Sequence, residues 1–79
     1  MLKLLSNIAN GEEVSVVGIQ SSELRVKLLE MGLLEGQTLR VLFRAPFGDP
    51  IAVDVNGYTL SLRLNEAQLV RVQSKELAE

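Results

Sequence analysis

Short runs of alternating apolar and polar residues, punctuated by turn dipeptides, predict a mostly β domain. The expected form is five short strands in a small, partly closed barrel, with one α-helix inserted after the first strand. Three observations carry this. Five segments, 13–19, 38–45, 51–55, 58–64 and 69–73, have strand-like alternation and are rich in β-branched and aliphatic residues. Asn56-Gly57 separates two of them and is the dipeptide that a two-residue type I′ hairpin demands. One internal stretch, with Leu24, Leu28 and Met31 at i, i+4 and i+7, has helical spacing. An open sheet of this size would leave two unprotected edges, which favours partial closure with the helix over one side or end.

Residues 2–9 read as one short helical turn closed by Asn10-Gly11. Glu13–Ile19 follows as the first strand. Ser21 and Ser22 offer N-caps for the helix, Glu23 suits the positive end of its dipole, and Gly32 ends it. Leu33 to Gln37 is a connection that turns at Gly36, and residues 38–45 form the second strand. The loop Ala45-Pro46-Phe47-Gly48-Asp49-Pro50-Ile51 is the most heavily specified stretch of the chain. Its two prolines remove backbone donors and fix φ, Gly48 can take a positive φ, and Asp49 can bond nearby amides, so the loop is stiff. It leads into strand 51–55, the Asn-Gly turn, and strand 58–64 with Tyr58, Leu60, Leu62 and Leu64 on one face. Asn65 caps a single turn before the last strand, 69–73. The domain spans 1–73, and residues 74–79 form a tail that is expected to fray.

Composition narrows the function. The chain has 79 residues, one domain's worth, and neither Cys nor His. Disulfides are excluded, and zinc or another transition metal would lack its usual ligands. Nucleophile and acid–base pairs built on Cys or His are equally absent. Neither a catalytic residue, a cofactor nor a metal site is expected. Asp49, Asp54 and Glu66 are oxygen donors, but nothing in their spacing demands a cation. Net charge is −2 and the pI about 5.1, with few aromatics, which speaks against a nucleic-acid groove. The N-terminus is too briefly apolar for a signal peptide, and no run approaches membrane-spanning length, so a soluble, cytoplasmic protein is expected.

Hydrophobic residues make up 47% of the chain, high for a domain with so much surface per volume. Either the core is dense or part of the excess forms a partner-facing patch. Strand parity points to its members. Leu39, Val41 and Phe43 alternate inward, which turns Leu42 outward between Arg40 and Arg44. Val14 and Val16 point inward and Val17 outward; Val70 and Val72 point inward and Leu69 outward. Leu33 and Leu34, before the second strand, join the outward set. Phe47 either tucks back over the barrel end or stands out as an aromatic anchor of the kind interfaces favour. Arg44 and Arg63 are on outward parity, available to pair with Asp54 or Glu66 or to contact a partner. The candidate contact residues are therefore Val17, Leu33, Leu34, Leu42, Arg44, Phe47, Arg63 and Leu69. Exposure of Val17, Leu42 and Leu69 would also promote weak homo-oligomers.

Four blocks resemble the FeoA family: Leu28-Leu29-Glu30-Met31-Gly32-Leu33, Gly36, Arg44 to Ile51, and Leu60-Ser61-Leu62-Arg63 with Glu66-Ala67. Their order and spacing resemble the small FeoA protein of bacterial ferrous iron uptake and the FeoA-like domain at the C-terminus of DtxR-type metalloregulators. The resemblance implies an SH3-like barrel and an accessory role, by protein–protein contact, to the FeoB membrane transporter and its GTP-binding domain. It implies an interaction module that is not an enzyme, is not itself membrane-embedded, and is recruited to the inner face of the membrane by its partner. The alternatives are a freestanding regulatory domain related to the metalloregulators and, disfavoured by charge, a small-barrel nucleic-acid binder. An aromatic groove for proline-rich peptides is not expected, since only Phe43, Phe47 and Tyr58 are available and Phe43 reads as core.

Overall fold

The computed structural model describes residues 2–75. Six strands form one antiparallel sheet: β1 (Leu2–Leu4), β2 (Glu13–Ile19), β3 (Thr38–Arg44), β4 (Ile51–Val55), β5 (Tyr58–Leu62) and β6 (Val70–Ser74). Their order across the sheet is β1-β6-β2-β3-β4-β5. β1 and β5 are its two edges, so the sheet curls without closing. Helix α1 (Arg25–Glu30) lies between β2 and β3, and the short helix α2 (Leu64–Ala67) between β5 and β6.

The predicted five strands are thus six. Residues 2–9 hold the expected short helical turn, as a single 3-10 turn (Leu5–Asn7), but β1 precedes it. β1 exists because β6 pairs with it, Leu2 opposite Gln73 and Leu4 opposite Arg71, a long-range partner that no local pattern announces. β6 extends through Ser74, and the Lys75 amide donates to the Glu13 carbonyl (3.3 Å), so the start of the supposed tail is tied to β2. Residues 76–79 lie outside the described residues.

The core is the concave side of the sheet. Val14, Val16, Leu39, Val41, Val53 and Leu62 are among its fully or almost fully buried members. Leu5 and Ile8 close one end, and Leu28 of α1 another side. The hairpin β4–β5 is built as the Asn-Gly signal requires: Asn56 has φ 51° and Gly57 φ 93°, with Val55 opposite Tyr58. α1 is shorter than its apolar spacing suggests. Ser22 serves its N-terminus by accepting from the Leu24 amide (3.1 Å), and the chain leaves it at Gly32, φ 99°. The Tyr58 hydroxyl donates to the Met31 carbonyl (3.0 Å), joining the helix end to the start of β5.

Two β-bulges decide which side chains face out. One lies in β2 between Val16 and Gly18, at Val17; the other in β3 between Val41 and Phe43, at Leu42. Each extra residue reverses the parity downstream of it. Past the second bulge, Phe43 stands opposite Ala52 on the outer face and Arg44 opposite Ile51 on the inner face. The predicted core position of Phe43 is therefore overturned: it is 58% exposed. Among the described residues, no helix is long and apolar enough to cross a membrane.

Candidate functional site

The β3–β4 hairpin tip is the most exposed apolar feature among the described residues. Ala45 closes the loop by donating to the Pro50 carbonyl (3.0 Å), and its own carbonyl accepts from Gly48 (2.7 Å). The Asp49–Pro50 peptide is cis and Gly48 has φ 83°. Within this frame Phe47 stands clear of the surface, 97% exposed, instead of tucking over the barrel end. Phe43, Leu42 and Phe47 share one hairpin, and all three are exposed.

Asp49 anchors the loop from below. Its Oδ1 accepts from the Leu64 amide (3.0 Å), serving the first turn of α2, and lies 3.3 Å from Arg63 Nε. The aspartate thus caps a helix that begins fifteen residues further on in place of shaping only its own turn. Glu66 completes this junction. Its Oε1 accepts from the Arg63 amide (2.9 Å) and its Oε2 from Lys27 Nζ of α1 (2.6 Å). The Glu66 side chain is 4% exposed. Its hydrogen bond to Lys27 holds the carboxyl below its ordinary value, against burial, which acts the other way. An open polar cleft lies here between α1, α2 and the loop, lined by Lys27, Asp49, Arg63 and Glu66 among others. Its two cations and two carboxylates are paired with one another.

The predicted contact residues divide accordingly. Phe47 and Leu42 are exposed on the hairpin, and Arg63 extends into solvent beside the loop's base, paired with Asp49. Leu34 is 51% exposed in the connection that runs beside β2 near Val17, where the Gly36 amide donates to the Val16 carbonyl. Val17 itself is half-buried at its bulge. Leu69 is half-buried and packs against the core. Leu33 is fully buried, so it leaves the contact set: it is the core residue that pins the turn after α1. Arg44 also changes role. It pairs with neither Asp54 nor Glu66. Facing inward beyond the bulge, its guanidinium donates to Asn10 Oδ1 (2.9 Å) and to the carbonyls of Ser6 (2.9 Å) and Ile8 (2.6 Å). Sequence reasoning missed Phe43 as a surface residue and Glu66 as a buried junction. A Glu three residues after the residue preceding α2 is the one local sign of the latter. Among the described residues, no group of three or more Asp, Glu, His or Cys side chains could hold a metal ion.

Comparison with known proteins places this geometry. The FeoA domain family model matches residues 3–74. Over 70 residues, 87% of its length, the chain is 31% identical to a Porphyromonas gingivalis Fe(2+) transport protein A/Fe(2+) transporter FeoB fusion protein, of which it spans 8%. The solution structure of a FeoA-like protein from Clostridium acetobutylicum superposes with a TM-score of 0.89 at 36% identity, covering 94% of this chain and 87% of that one. Stenotrophomonas maltophilia FeoA, described as a procaryotic SH3 domain protein and solved with zinc, superposes with a TM-score of 0.79 at 26% identity, covering 90% and 89%. A manganese-dependent transcriptional repressor matches at 26% identity and a TM-score of 0.86 over 92% of this chain and 36% of its own. Family match and fold coincide over nearly all described residues, and the chain belongs to the FeoA family, linked to ferrous iron transport.

Proposed function

We propose that the protein is an accessory of ferrous iron uptake that docks on the cytosolic part of a FeoB-type transporter, with the β3–β4 hairpin tip as its anchor. The observation that carries this reading is the Porphyromonas gingivalis fusion, in which a FeoA part resembling this chain is covalently joined to FeoB. Two modules joined in one polypeptide work at high effective concentration, as partners that meet do. The exposed Phe47 on a stiff loop supports the choice of surface, because its backbone is already held in place and loses little conformational freedom on binding. Leu42, Phe43 and Arg63 extend the same surface, and the protein works in the cytoplasm at the inner face of the membrane. Iron is the transporter's cargo in this reading, and the protein influences its passage by contact with the transporter.

Titration calorimetry of the protein into the cognate FeoB cytosolic domain, without nucleotide and with GDP or a GTP analogue, tests this. Saturable binding in at least one nucleotide state is the expected result. Absence of binding in every state, repeated with full-length transporter in detergent, would contradict it.

A further inference from the structure

The loop that carries Phe47 closes on itself. Its two backbone bonds, Ala45 to the Pro50 carbonyl and Gly48 to the Ala45 carbonyl, both lie within it. Pro46, Phe47 and Pro50 are exposed, so little packing gives the tip a fixed direction. Among the described residues, Asp49 alone ties residues 45–50 to another element by hydrogen bond or ion pair. Its Oδ1 accepts from the Leu64 amide at 3.0 Å and lies 3.3 Å from Arg63 Nε. Both partners sit where β5 passes into α2, and that place is itself held. The Arg63 amide donates to Glu66 Oε1, and Glu66 Oε2 accepts from Lys27 of α1. The tie therefore runs from α1 through α2 to the residue two places after Phe47.

The two contacts of Asp49 are unequal. The Arg63 side chain is 71% exposed, and an ion pair in water holds a geometry weakly. The bond from the Leu64 amide is partly buried, comes from the backbone and is charge-assisted, so it fixes a direction. We propose that Asp49 is a positioning residue for transporter docking. Through the Leu64 amide it holds the hairpin tip in the direction from which Phe47 meets the partner, without touching the partner itself. The inference rests on the docking reading above. Without the tie the tip keeps its internal turn but swings on the two strands at its base. Only molecules in the docking geometry then bind, so a tip that holds it about one tenth of the time binds about tenfold more weakly. That loss passes through Phe47, and a chain without the ring has none of it to lose.

Calorimetry with the cognate FeoB cytosolic domain, together with 15N relaxation of the free protein, tests this. On the unaltered chain the Phe47 and Gly48 amides should be as ordered as those of β4, with order parameters near 0.85. A mobile tip there overturns the proposal without any variant. Asp49→Ala, which removes both contacts, should weaken binding about tenfold and bring those two order parameters below about 0.6. Asp49→Asn keeps an oxygen for the Leu64 amide and loses the charge, and should stay within about threefold of the parent. In a Phe47→Ala background, Asp49→Ala should change affinity by less than about twofold. Equal losses with and without Phe47 would make Asp49 a direct contact and overturn the proposal. An asparagine variant as weak as the alanine one, or tip amides that stay ordered in Asp49→Ala, would overturn it too. A parent protein that binds in no nucleotide state contradicts the docking reading and takes the affinity claim with it. Relaxation of the free chain then still decides whether Asp49 holds the tip.

Discussion

At the scale of single residues, three positions account for much of how the chain is held. Gly32 lies at φ 99°, and a Cβ there would come within 2.5 Å of the Tyr58 hydroxyl oxygen. Gly32→Ala therefore combines backbone strain of about 1–2 kcal/mol with a displaced Tyr58 and the loss of its bond to Met31. Urea unfolding should show a loss of about 2 kcal/mol. In a Tyr58→Phe background the same substitution should cost less, and strictly additive effects would contradict the coupling. Glu66 makes a pH prediction. Its folded-state pKa is lowered, chiefly by the Lys27 hydrogen bond, below the ordinary 4.5. Its stabilising contribution is present at neutral pH, above the unfolded value, and is lost as pH falls through the folded one. Glu66→Gln should flatten the acid limb of stability against pH below about 4.5, and an unchanged slope would contradict this. Phe47 has the opposite character: almost nothing in the folded chain touches it, so Phe47→Ala should leave the unfolding midpoint within about 0.5 kcal/mol of the parent.

At the scale of elements, the bulge at Leu42 separates what the sequence could tell from what it could not. Alternation located β2 and β4 to the residue, and Asn56-Gly57 located the β4–β5 turn, because each signal is complete within a few neighbouring residues. The bulge has no glycine to mark it. Simple alternation through Leu42 placed Phe43 in the core and Arg44 in solvent, the reverse of their positions. β1 was missed for a related reason, since three residues become a strand only through β6 at the other end of the described chain. Of the proposed contact surface, Arg63 keeps the outward position that strand parity gave it, because no bulge interrupts β5, while Phe47, which the sequence left open between tucking back and standing out, stands out at the tip. Leu33 and Arg44 leave the positions expected of them, because both depend on packing beyond their own segment. Arg44 now ties β3 to the 3-10 turn and the segment after it through two carbonyls and one side chain. Arg44→Ala leaves those carbonyls without their charged donor and should cost about 2 kcal/mol in urea unfolding. A loss of only a few tenths would return Arg44 to the contact set.

At the scale of the whole molecule, one curled sheet carries the hairpin tip and the junction beneath it. The hairpin tip offers an exposed aromatic on a hydrogen-bonded loop, while the junction of Asp49, Arg63, Glu66 and Lys27 fixes the base from which the tip projects. A domain of this size cannot hide all of its apolar side chains, and here Phe43, Phe47, Leu34 and Val26 remain in solvent. Two exposed aromatics on one hairpin, Phe43 and Phe47, are the reason this hairpin is proposed as the docking surface. The affinity of Phe47→Ala for the FeoB cytosolic domain, relative to the parent protein and measured in the nucleotide state that binds, tests this claim most directly. A buried aromatic anchor predicts dissociation about thirtyfold or more weaker with the fold intact. An affinity within about twofold of the parent would show that the hairpin tip is not the docking surface.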